Sequence, residues 1–329
     1  MPDLTIKTGV YGIIEEEVII MDKIIDLIVK NNTSLFGTDP SIKKINVGFT
    51  NTLYKINDSY IVKVCTDIGN EEEFKNEINF YNSNKGNSLI PKLYYSSTDK
   101  KDVPYFYEVL EKVSGVSLYN VWHTYSEKQR EDIIRQLCEA MKQMHSVKGE
   151  KYNWSEYMKK EFTPLYVKAK ELDIFSADEQ SLMEQAYSDF DKYLESDEFV
   201  LVHNDLHFDN IFVDNGRIKI IDFERSMYAP RDFELDIFYR MIRKPWKFAS
   251  EETEEYTDAS QYLNIMSYVN KYYPELINTP NLYERLGIYD MVYFLAQLVR
   301  HPELDELKND VLSAARLVLS EDSKIVKKW

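Results

Sequence analysis

The sequence predicts an α+β protein of two lobes, with a small antiparallel sheet in front and helices behind. Short runs of alternating apolar and polar residues occupy the first 110 or so residues, whereas apolar residues after Gly115 recur mostly at helical spacing. The length of 329 residues also exceeds the roughly 250–300 at which a single core stops growing. We therefore expect one domain over residues 1–112 and a second over 113–329, with a cleft between them.

The front lobe is predicted to hold two helices and five strands. Helical spacing covers Ile19–Asn31 and Glu71–Asn82, and in the second helix Phe74, Ile78 and Tyr81 fall on one face. Strands are predicted at Ile45–Val47, Leu53–Ile56, Tyr60–Val64, Leu89–Tyr95 and Tyr105–Leu110. The second and third of these strands are joined by Asn57-Asp58, a hairpin signal.

The back lobe is predicted to be helical except for one short β segment. Helices are expected at Ser126–Val147, Trp154–Leu172, Ala177–Leu194 and in the region from Phe233 to the end. Between them, the strands Val200–Val202, Ile211–Val213 and Ile218–Ile221 are predicted, the last two joined by a turn at Asp214-Asn215-Gly216.

Composition excludes several classes of protein. The net charge is −16, which argues against a general nucleic-acid binder and against binding to an anionic membrane surface. Two cysteines without a CxxC spacing make a zinc site or a disulfide framework unexpected. The sequence shows no signal peptide and no run of 18 uncharged apolar residues, so we expect a cytoplasmic protein. We also expect a monomer.

The acidic surplus is concentrated in the back lobe. Residues 1–112 carry 17 acidic and 13 basic side chains, whereas residues 113–329 carry 39 and 27. An acidic lobe favours a cationic partner through its electrostatic field, although a solvated acidic surface needs no function. Both interpretations stay open at this point.

The residues that carry the chemistry lie around the predicted β segment. Asp205 follows an apolar strand, and Asn210 begins the next strand five residues later. The hairpin then returns the chain, so that Asp222 is expected beside Asn210. Oxygen ligands at this density suit Mg²⁺, and Asp205 is free to orient a hydroxyl and accept its proton. The order D-x-x-x-x-N, hairpin, D-F-x is typical of the catalytic and metal residues of kinases.

These segments resemble the aminoglycoside phosphotransferase family, the small-molecule branch of the protein-kinase-like fold, which also includes choline and homoserine kinases. His203–Asn210 resembles the family's H-G/N-D-L-H-P-x-N loop, Ile221–Glu224 its I-D-F/W-E/G motif, and Ala229–Leu235 its P-x-x-Y-D-L segment. Two departures stand out. Phe208-Asp209 replaces the usual Pro-Gly, and Glu234 replaces the usual Asp.

The resemblance implies a two-lobed, protein-kinase-like fold and transfer of a γ-phosphate from ATP or GTP in the presence of Mg²⁺. It assigns Asp205 as the catalytic residue and Asn210 and Asp222 as the metal ligands. For the nucleotide it points to a polar loop with Gly48, Thr50 and Asn51, to Lys63 paired with Glu77, and to the backbone of Glu111 and Val113 at the adenine.

The acceptor is predicted to be a small molecule. Ala229-Pro230 follows Asp222 by only seven residues, which leaves no room for an activation segment or a peptide platform. His207, Glu224 and Glu234 are the candidate acceptor contacts. By resemblance, a hydroxylated amine such as an aminoglycoside antibiotic is expected, which would make the protein a resistance enzyme.

Two alternatives remain. A choline or amino-alcohol kinase is suggested by aromatic residues that could surround a quaternary ammonium or equally form the core, namely Trp122, Tyr239, Trp246, Tyr289 and Tyr293. The second alternative is a nucleotide-binding regulator without catalysis, against which the complete set of site residues argues.

Overall fold

The computed structural model describes residues 21–45, 51–249 and 253–320. Within it the chain divides between Ser114 and Gly115 into two compact units, the N-terminal unit and the C-terminal unit. The sequence-based boundary between residues 112 and 113 lies two residues earlier. The fold class is α+β, with a small antiparallel sheet in the N-terminal unit and a largely helical C-terminal unit.

The N-terminal unit is built on a five-stranded antiparallel sheet in the order β1-β2-β3-β5-β4. Its strands are β1 (Ile42–Ile45), β2 (Thr52–Ile56), β3 (Tyr60–Val64), β4 (Leu93–Ser97) and β5 (Tyr107–Glu111). Its helices are α1 (described over 21–31), α2 (Thr33–Phe36) and α3 (Glu71–Ser83). The buried side chains of α1, among them Ile25 and Ile28, belong to the same core cluster as Val62 and Val109 of the central strands. The helix therefore shares a core with the sheet, whose central strand is β3 with β2 and β5 on either side.

Two predicted strands of this unit differ from the observed ones by more than two residues. The fourth strand begins at Leu93 rather than Leu89, because Pro91 has no N–H to donate to a ladder. The first strand spans Ile42–Ile45, and the remainder of the predicted Ile45–Val47 lies outside the described residues.

The C-terminal unit contains ten α-helices and five short strands in its described residues. The helices are α4 (Leu118–Trp122), α5 (Glu127–His145), α6 (Trp154–Glu171), α7 (Ala177–Ser188), α8 (Phe190–Leu194), α9 (Leu235–Arg243), α10 (Ile265–Tyr272), α11 (Pro274–Ile277), α12 (Leu282–Arg300) and α13 (Asp305–Leu319). The strands are β6 (Val116–Ser117), β7 (Val200–Val202), β8 (Ile211–Asp214), β9 (Arg217–Ile220) and β10 (Met227–Ala229). They form one antiparallel sheet in the order β6-β8-β9 and one antiparallel pair, β7 with β10.

The prediction missed helix α4 and three further features of this unit. The predicted helix Ala177–Leu194 is broken at Asp189 into α7 and α8. Strands β6 and β10 were not predicted, because strands of two and three residues are too short to show a period.

None of the helices in the described part of the chain combines the length and apolar character needed to span a membrane.

Helix α5 places a histidine, its last residue, in the protein interior. It begins after Ser126, whose side chain forms a capping box with Gln129 and satisfies free N–H groups of the first turn. Its buried face includes Leu137, Met141 and, at the last residue of the helix, His145. The amphipathic spacing therefore places a polar ring among apolar side chains, where it needs hydrogen-bond partners.

Gly115 lies where an added side chain would clash with the backbone of β8. Its φ is +93°, and an added Cβ would lie 2.1 Å from the carbonyl oxygen of Val213 in β8. We expect Gly115→Ala to lower the free energy of unfolding by about 3 kcal/mol, since overpacking adds to the left-handed backbone cost. Urea denaturation measures the loss.

Gly216→Ala is the matched control. Gly216 also has positive φ (+75°), but nothing lies within 4 Å of its added Cβ. The alanine there should cost only about 1 kcal/mol. Equal losses at the two glycines would contradict the steric explanation.

Candidate active site

The catalytic loop starts where the buried strand β7 ends. His203, the next residue, is fully buried, and its ring joins two parts of the loop region. The Nε2–H donates to the carbonyl oxygen of Ile221 at 3.0 Å, and Nδ1 accepts from the Asp205 amide at 3.2 Å. Both ring contacts therefore brace this loop. Asp205 itself stays partly exposed, with 20% of its side chain accessible.

Asn210 ties the catalytic loop to the chain segment that carries Asp222. Its Nδ2 donates to the Asp205 backbone oxygen at 2.9 Å and approaches the Asp205 carboxylate Oδ2 at 3.3 Å. The Ile221 amide in turn donates to the Asn210 carbonyl oxygen at 2.9 Å. The structure thus brings Asp205, Asn210 and the residue before Asp222 together, as the hairpin spacing predicts.

The β8–β9 hairpin produces this juxtaposition. Ile211 pairs with Ile220 at its open end, and Asn215 and Gly216 both have positive φ at its turn. Two left-handed residues in succession match the twist of a tight hairpin. Asp222 follows the hairpin with φ +66°, a strained conformation for a residue with a side chain. Such strain persists where the surroundings determine it, and it is frequent at functional sites.

The donor atoms at the end of the hairpin fit a magnesium ion. Asp222 offers a carboxylate, and Asn210 uses its amide nitrogen for the loop contacts, so that its oxygen is the atom suited to a metal. Hard oxygen ligands of this kind, completed by phosphate and water, are what Mg²⁺ prefers. The residues present therefore fit the Mg²⁺ that the sequence resemblance implies.

His207 and Glu224 are both partly exposed. The His207 ring approaches the Asp205 carboxylate at 3.9 Å and receives Nδ2 of Asn210 at 3.3 Å. The ring of Phe248 lies 6.4 Å from that of His207 between centroids. His207 therefore remains a candidate for acceptor contact, and Glu224, two residues after Asp222, remains one as well.

Glu234 does not occupy a position suited to acceptor contact, which corrects the expectation from sequence. It is 1% exposed, and its Oε2 accepts hydrogen bonds from the His203 amide at 2.9 Å and pairs with His145 Nε2 at 3.1 Å. A carboxylate this deeply buried and already bonded has no surface to offer to a small molecule. Glu234 was assigned as an acceptor contact from the family resemblance alone, and a resemblance between motifs does not show whether a side chain is buried.

The N-terminal unit contains the predicted lysine–glutamate pair. Lys63 of β3 donates to Glu77 of α3 with 2.6 Å between Nζ and Oε2, and their side chains are 10% and 1% exposed. Sequence reasoning missed two neighbours. Tyr81, one turn after Glu77, donates its hydroxyl to Oε1 at 3.3 Å, and buried Glu108 lies directly opposite Lys63 in the β3–β5 ladder. The i, i+4 spacing of Glu77 and Tyr81 was the available signal.

The other predicted nucleotide residues are placed only in part. Asn51 directly precedes β2, whereas Gly48 and Thr50 lie outside the described residues. Glu111 ends β5, where its amide donates to Lys92 and its backbone pairs with Tyr60. Val113 follows the strand and is partly exposed. The roles of these residues in nucleotide binding stay predictions.

The aromatic residues considered for an ammonium cage are mostly interior. Trp122, Tyr239 and Tyr289 are each no more than 4% exposed, whereas Trp246 is 41% exposed. Tyr289 donates its hydroxyl to the buried carboxylate of Asp232. Their burial favours the core interpretation over a five-residue cage.

Comparison with known proteins agrees with the fold. The structure of aminoglycoside phosphotransferase APH(2'')-Ib with ADP has 17% sequence identity and a TM-score of 0.62, over 88% of this chain and 96% of that one. The streptomycin–ATP–APH(2'')-IIa ternary complex has 15% identity and a TM-score of 0.63, over 88% and 97%. The GDP complex of aminoglycoside 2'-phosphotransferase-IIIa has 13% identity and a TM-score of 0.62, over 90% and 96%. No curated protein sequence matches the chain.

The fold and the hairpin site define a phosphotransferase of the protein-kinase-like fold, as the sequence motifs predict. A family model described as the phosphotransferase enzyme family matches residues 41–262, so the chain belongs to this family. It is an enzyme that transfers a phosphoryl group to an alcohol acceptor.

Proposed function

We propose that the protein transfers the γ-phosphate of ATP or GTP, in the presence of Mg²⁺, to a hydroxyl of a small, cationic, aminoglycoside-like molecule. The proposal depends on two sets of hydrogen bonds made by Asn210. Its side-chain amide contacts Asp205, and its backbone carbonyl oxygen accepts from the Ile221 amide. These contacts hold Asp205 and Asn210 next to the residue before Asp222, which supports one catalytic carboxylate beside two metal ligands. A monomeric state and a cytoplasmic location stay predictions.

Asp205 is the group that acts on the acceptor. Its partly exposed carboxylate is oriented by Asn210 and by the loop amide bound to His203, so it orients the hydroxyl and accepts its proton. Asn210 and Asp222 would hold the metal. When bound, Mg²⁺ neutralises charge that develops on the transferring phosphoryl group.

The acidic C-terminal unit supports a cationic acceptor. The excess of acidic side chains lies largely after residue 112, so the field favours approach of a polyamine to this unit. Three solved structures of similar fold are described as complexes with streptomycin, gentamicin and hygromycin B, which makes this substrate class the first to test.

The test is a nucleotide-consumption assay with Mg²⁺ and a panel of aminoglycosides, choline and amino alcohols. Turnover with an aminoglycoside supports the proposal, and turnover with choline alone would move the assignment to an amino-alcohol kinase. No nucleotide consumption with any compound of the panel, with nucleotide binding intact, would favour a regulator that has lost catalysis.

Lys63→Met tests the nucleotide side of the proposal. We expect nucleotide affinity to fall about tenfold or more, since a cation that contacts phosphates is removed. The free energy of unfolding should also fall by about 3 kcal/mol, because Glu77 stays buried without the ammonium. Isothermal titration and urea denaturation measure the two effects.

The double variant Lys63→Met/Glu77→Gln separates the two effects. It should regain part of the stability, because the buried charge is gone, while nucleotide affinity stays low. Nucleotide affinity equal to that of the wild type in both variants would remove Lys63 from the site.

A further inference from the structure

A cavity of about 240 Å³ lies in the C-terminal unit, lined by residues of α9, α12, α13 and the segments next to them. Ligand pockets commonly measure roughly 300–1,000 Å³, so this one suits a small molecule. Phe248 is a lining residue, and its ring lies 6.4 Å from that of His207 between centroids. The cavity therefore adjoins the catalytic loop, although Asp205, Asn210 and Asp222 are not among the described residues that line it.

The walls of the cavity are rich in groups that can only donate hydrogen bonds. Two arginines and two lysines line it, whereas Asp310 is its one carboxylate among the described residues. Guanidinium and ammonium groups carry N–H donors and no acceptor. This excess of basic side chains contrasts with the net charge of −16 for the whole chain. A molecule that binds these walls must therefore bring acceptor atoms.

Carboxylates hold all four cations in place. The pairs are Arg240 with Asp236, Arg243 with Asp290, Lys244 with Asp310 and Lys247 with Glu306. The charges within these pairs balance, so the cavity is not a bare positive patch. Recognition of a ligand depends on the N–H groups that the pairs leave over, in positions that the pairs fix.

Both arginines keep such N–H groups. Arg240 is 3% exposed, and its buried Nε has no hydrogen-bond partner in the described part of the chain. Arg243 binds Asp290 through Nη2, which leaves its Nε and Nη1 without a bond to any described residue. An unpaired buried donor costs free energy, and a bound oxygen acceptor would recover it. The unpaired Nε of Arg240 thus indicates a ligand that carries an acceptor.

Aromatic side chains supply an apolar surface beside these donors. Tyr293, Phe294 and Phe248 line the cavity, and the guanidinium carbon of Arg240 lies 3.8 Å from the Tyr293 ring centroid. The Tyr293 hydroxyl makes no hydrogen bond within the described ranges, so it is a further available donor. Apolar walls with a few fixed polar groups are typical of small-molecule sites.

We propose that this cavity binds a small organic anion. Its carboxylate or phosphate group is held by the free N–H groups of Arg240 and Arg243 and by the Tyr293 hydroxyl, and its apolar body lies against the aromatic rings. The inference goes beyond the proposed function, whose acceptor is a cation. Because Phe248 lines the cavity, the bound anion lies next to the catalytic loop.

Ligand-observed NMR titrations test the inference, with benzoate and phenyl phosphate as probes and benzylamine as a cation of similar shape. Excess ADP with Mg²⁺ is present throughout, so that the probes do not report on a nucleotide site. We expect both anions to bind with a Kd of about 1 mM or tighter, and benzylamine to bind at least about tenfold more weakly. No binding of the anions, or equal binding of benzylamine, overturns the inference.

Inorganic phosphate is a further probe, which separates an organic ligand from a free ion. It offers the same kind of oxygen without an apolar body, so its affinity should be about tenfold below that of phenyl phosphate. Equal affinities of the two phosphates overturn the proposal of an organic ligand.

Arg243→Lys removes the free N–H groups of the guanidinium and keeps a cation for the buried carboxylate of Asp290. The affinity for both anions should fall about tenfold or more, since an ammonium does not reproduce the guanidinium geometry. Arg135→Lys is the matched control, because Arg135 is also 37% exposed and paired with carboxylates but lies outside the cavity lining. It should keep the affinity within about twofold. Equal affinities in the two variants contradict the inference.

Tyr293→Phe decides the matter if Arg243→Lys does not fold. It keeps the ring beside Arg240 and removes only a hydroxyl that no described residue binds, so the free energy of unfolding should not change. Anion affinity should fall about threefold or more, because one donor is lost. Unchanged affinity in Tyr293→Phe overturns the inference. None of these measurements uses turnover, so their outcome is separate from that of the proposed function.

Discussion

Asp205→Asn is expected to lose roughly 10²- to 10⁴-fold in turnover while nucleotide binding survives, since general-base assistance is worth that much. The amide can still receive Nδ2 of Asn210 through its oxygen, so the loop should keep its shape. It no longer accepts the proton of the acceptor hydroxyl. The comparison of kcat with nucleotide Kd, measured on the same preparation with Mg²⁺, gives the result.

Asp209→Asn is the control from the same loop. The Asp209 carboxylate accepts from the Ser117 hydroxyl at 2.7 Å, a contact that the asparagine oxygen can keep. Turnover should therefore stay within a few fold of the wild type. If Asp205→Asn also keeps its turnover, the catalytic assignment falls.

Arg285→Met is expected to cost the fold about 3–5 kcal/mol, the range for breaking a buried ion pair. Arg285 in α12 binds Asp232 through Nε at 2.6 Å and Nη2 at 2.8 Å, and both side chains are 2% exposed. Its Nη1 also donates to the carbonyl oxygens of Tyr193 and Glu195. The methionine leaves the Asp232 charge buried without the guanidinium, while the Tyr289 hydroxyl still donates to that carboxylate. Urea denaturation of the whole chain measures the loss.

The double variant Arg285→Met/Asp232→Asn tests the cause of that loss. Removing the buried charge should recover part of the stability, because the uncompensated carboxylate is the main cost. If the free energy of unfolding falls further in the double variant than in Arg285→Met, the buried charge is not the main cost. The loss then comes from packing and from the two carbonyl contacts of Arg285.

Much of the catalytic site could be predicted from sequence because it is local. Asp205, Asn210 and Asp222 lie within 18 residues, and a single hairpin with Asn215-Gly216 at its turn brings the last two together. Turn chemistry and strand length alone set that geometry. The Lys63–Glu77 pair was predictable for a related reason, since a buried cation in a strand needs a partner and one helix follows at once.

The partners of the acidic residues after β10 could not be predicted. Asp232 binds Arg285, Glu234 binds His145 and the His203 amide, and Asp236 binds Arg240, although the three carboxylates fall within five residues. Glu234 stands where the family motif usually has Asp, so the sequence did not show whether Glu234 takes the place of that Asp. In the fold it is Glu234, the residue at that position, that binds the amide of His203 beneath the loop.

The sequence by itself determined the fold class, the order of the longer elements and the hairpin that brings Asn210 near Asp222, because these depend on spacing within a few tens of residues. The tertiary structure decided which polar side chains are interior and what they bind. Glu234 and His145 are 89 residues apart, and Asp232 and Arg285 are 53 apart. No periodicity relates residues at such separations, since their meeting depends on how whole helices pack.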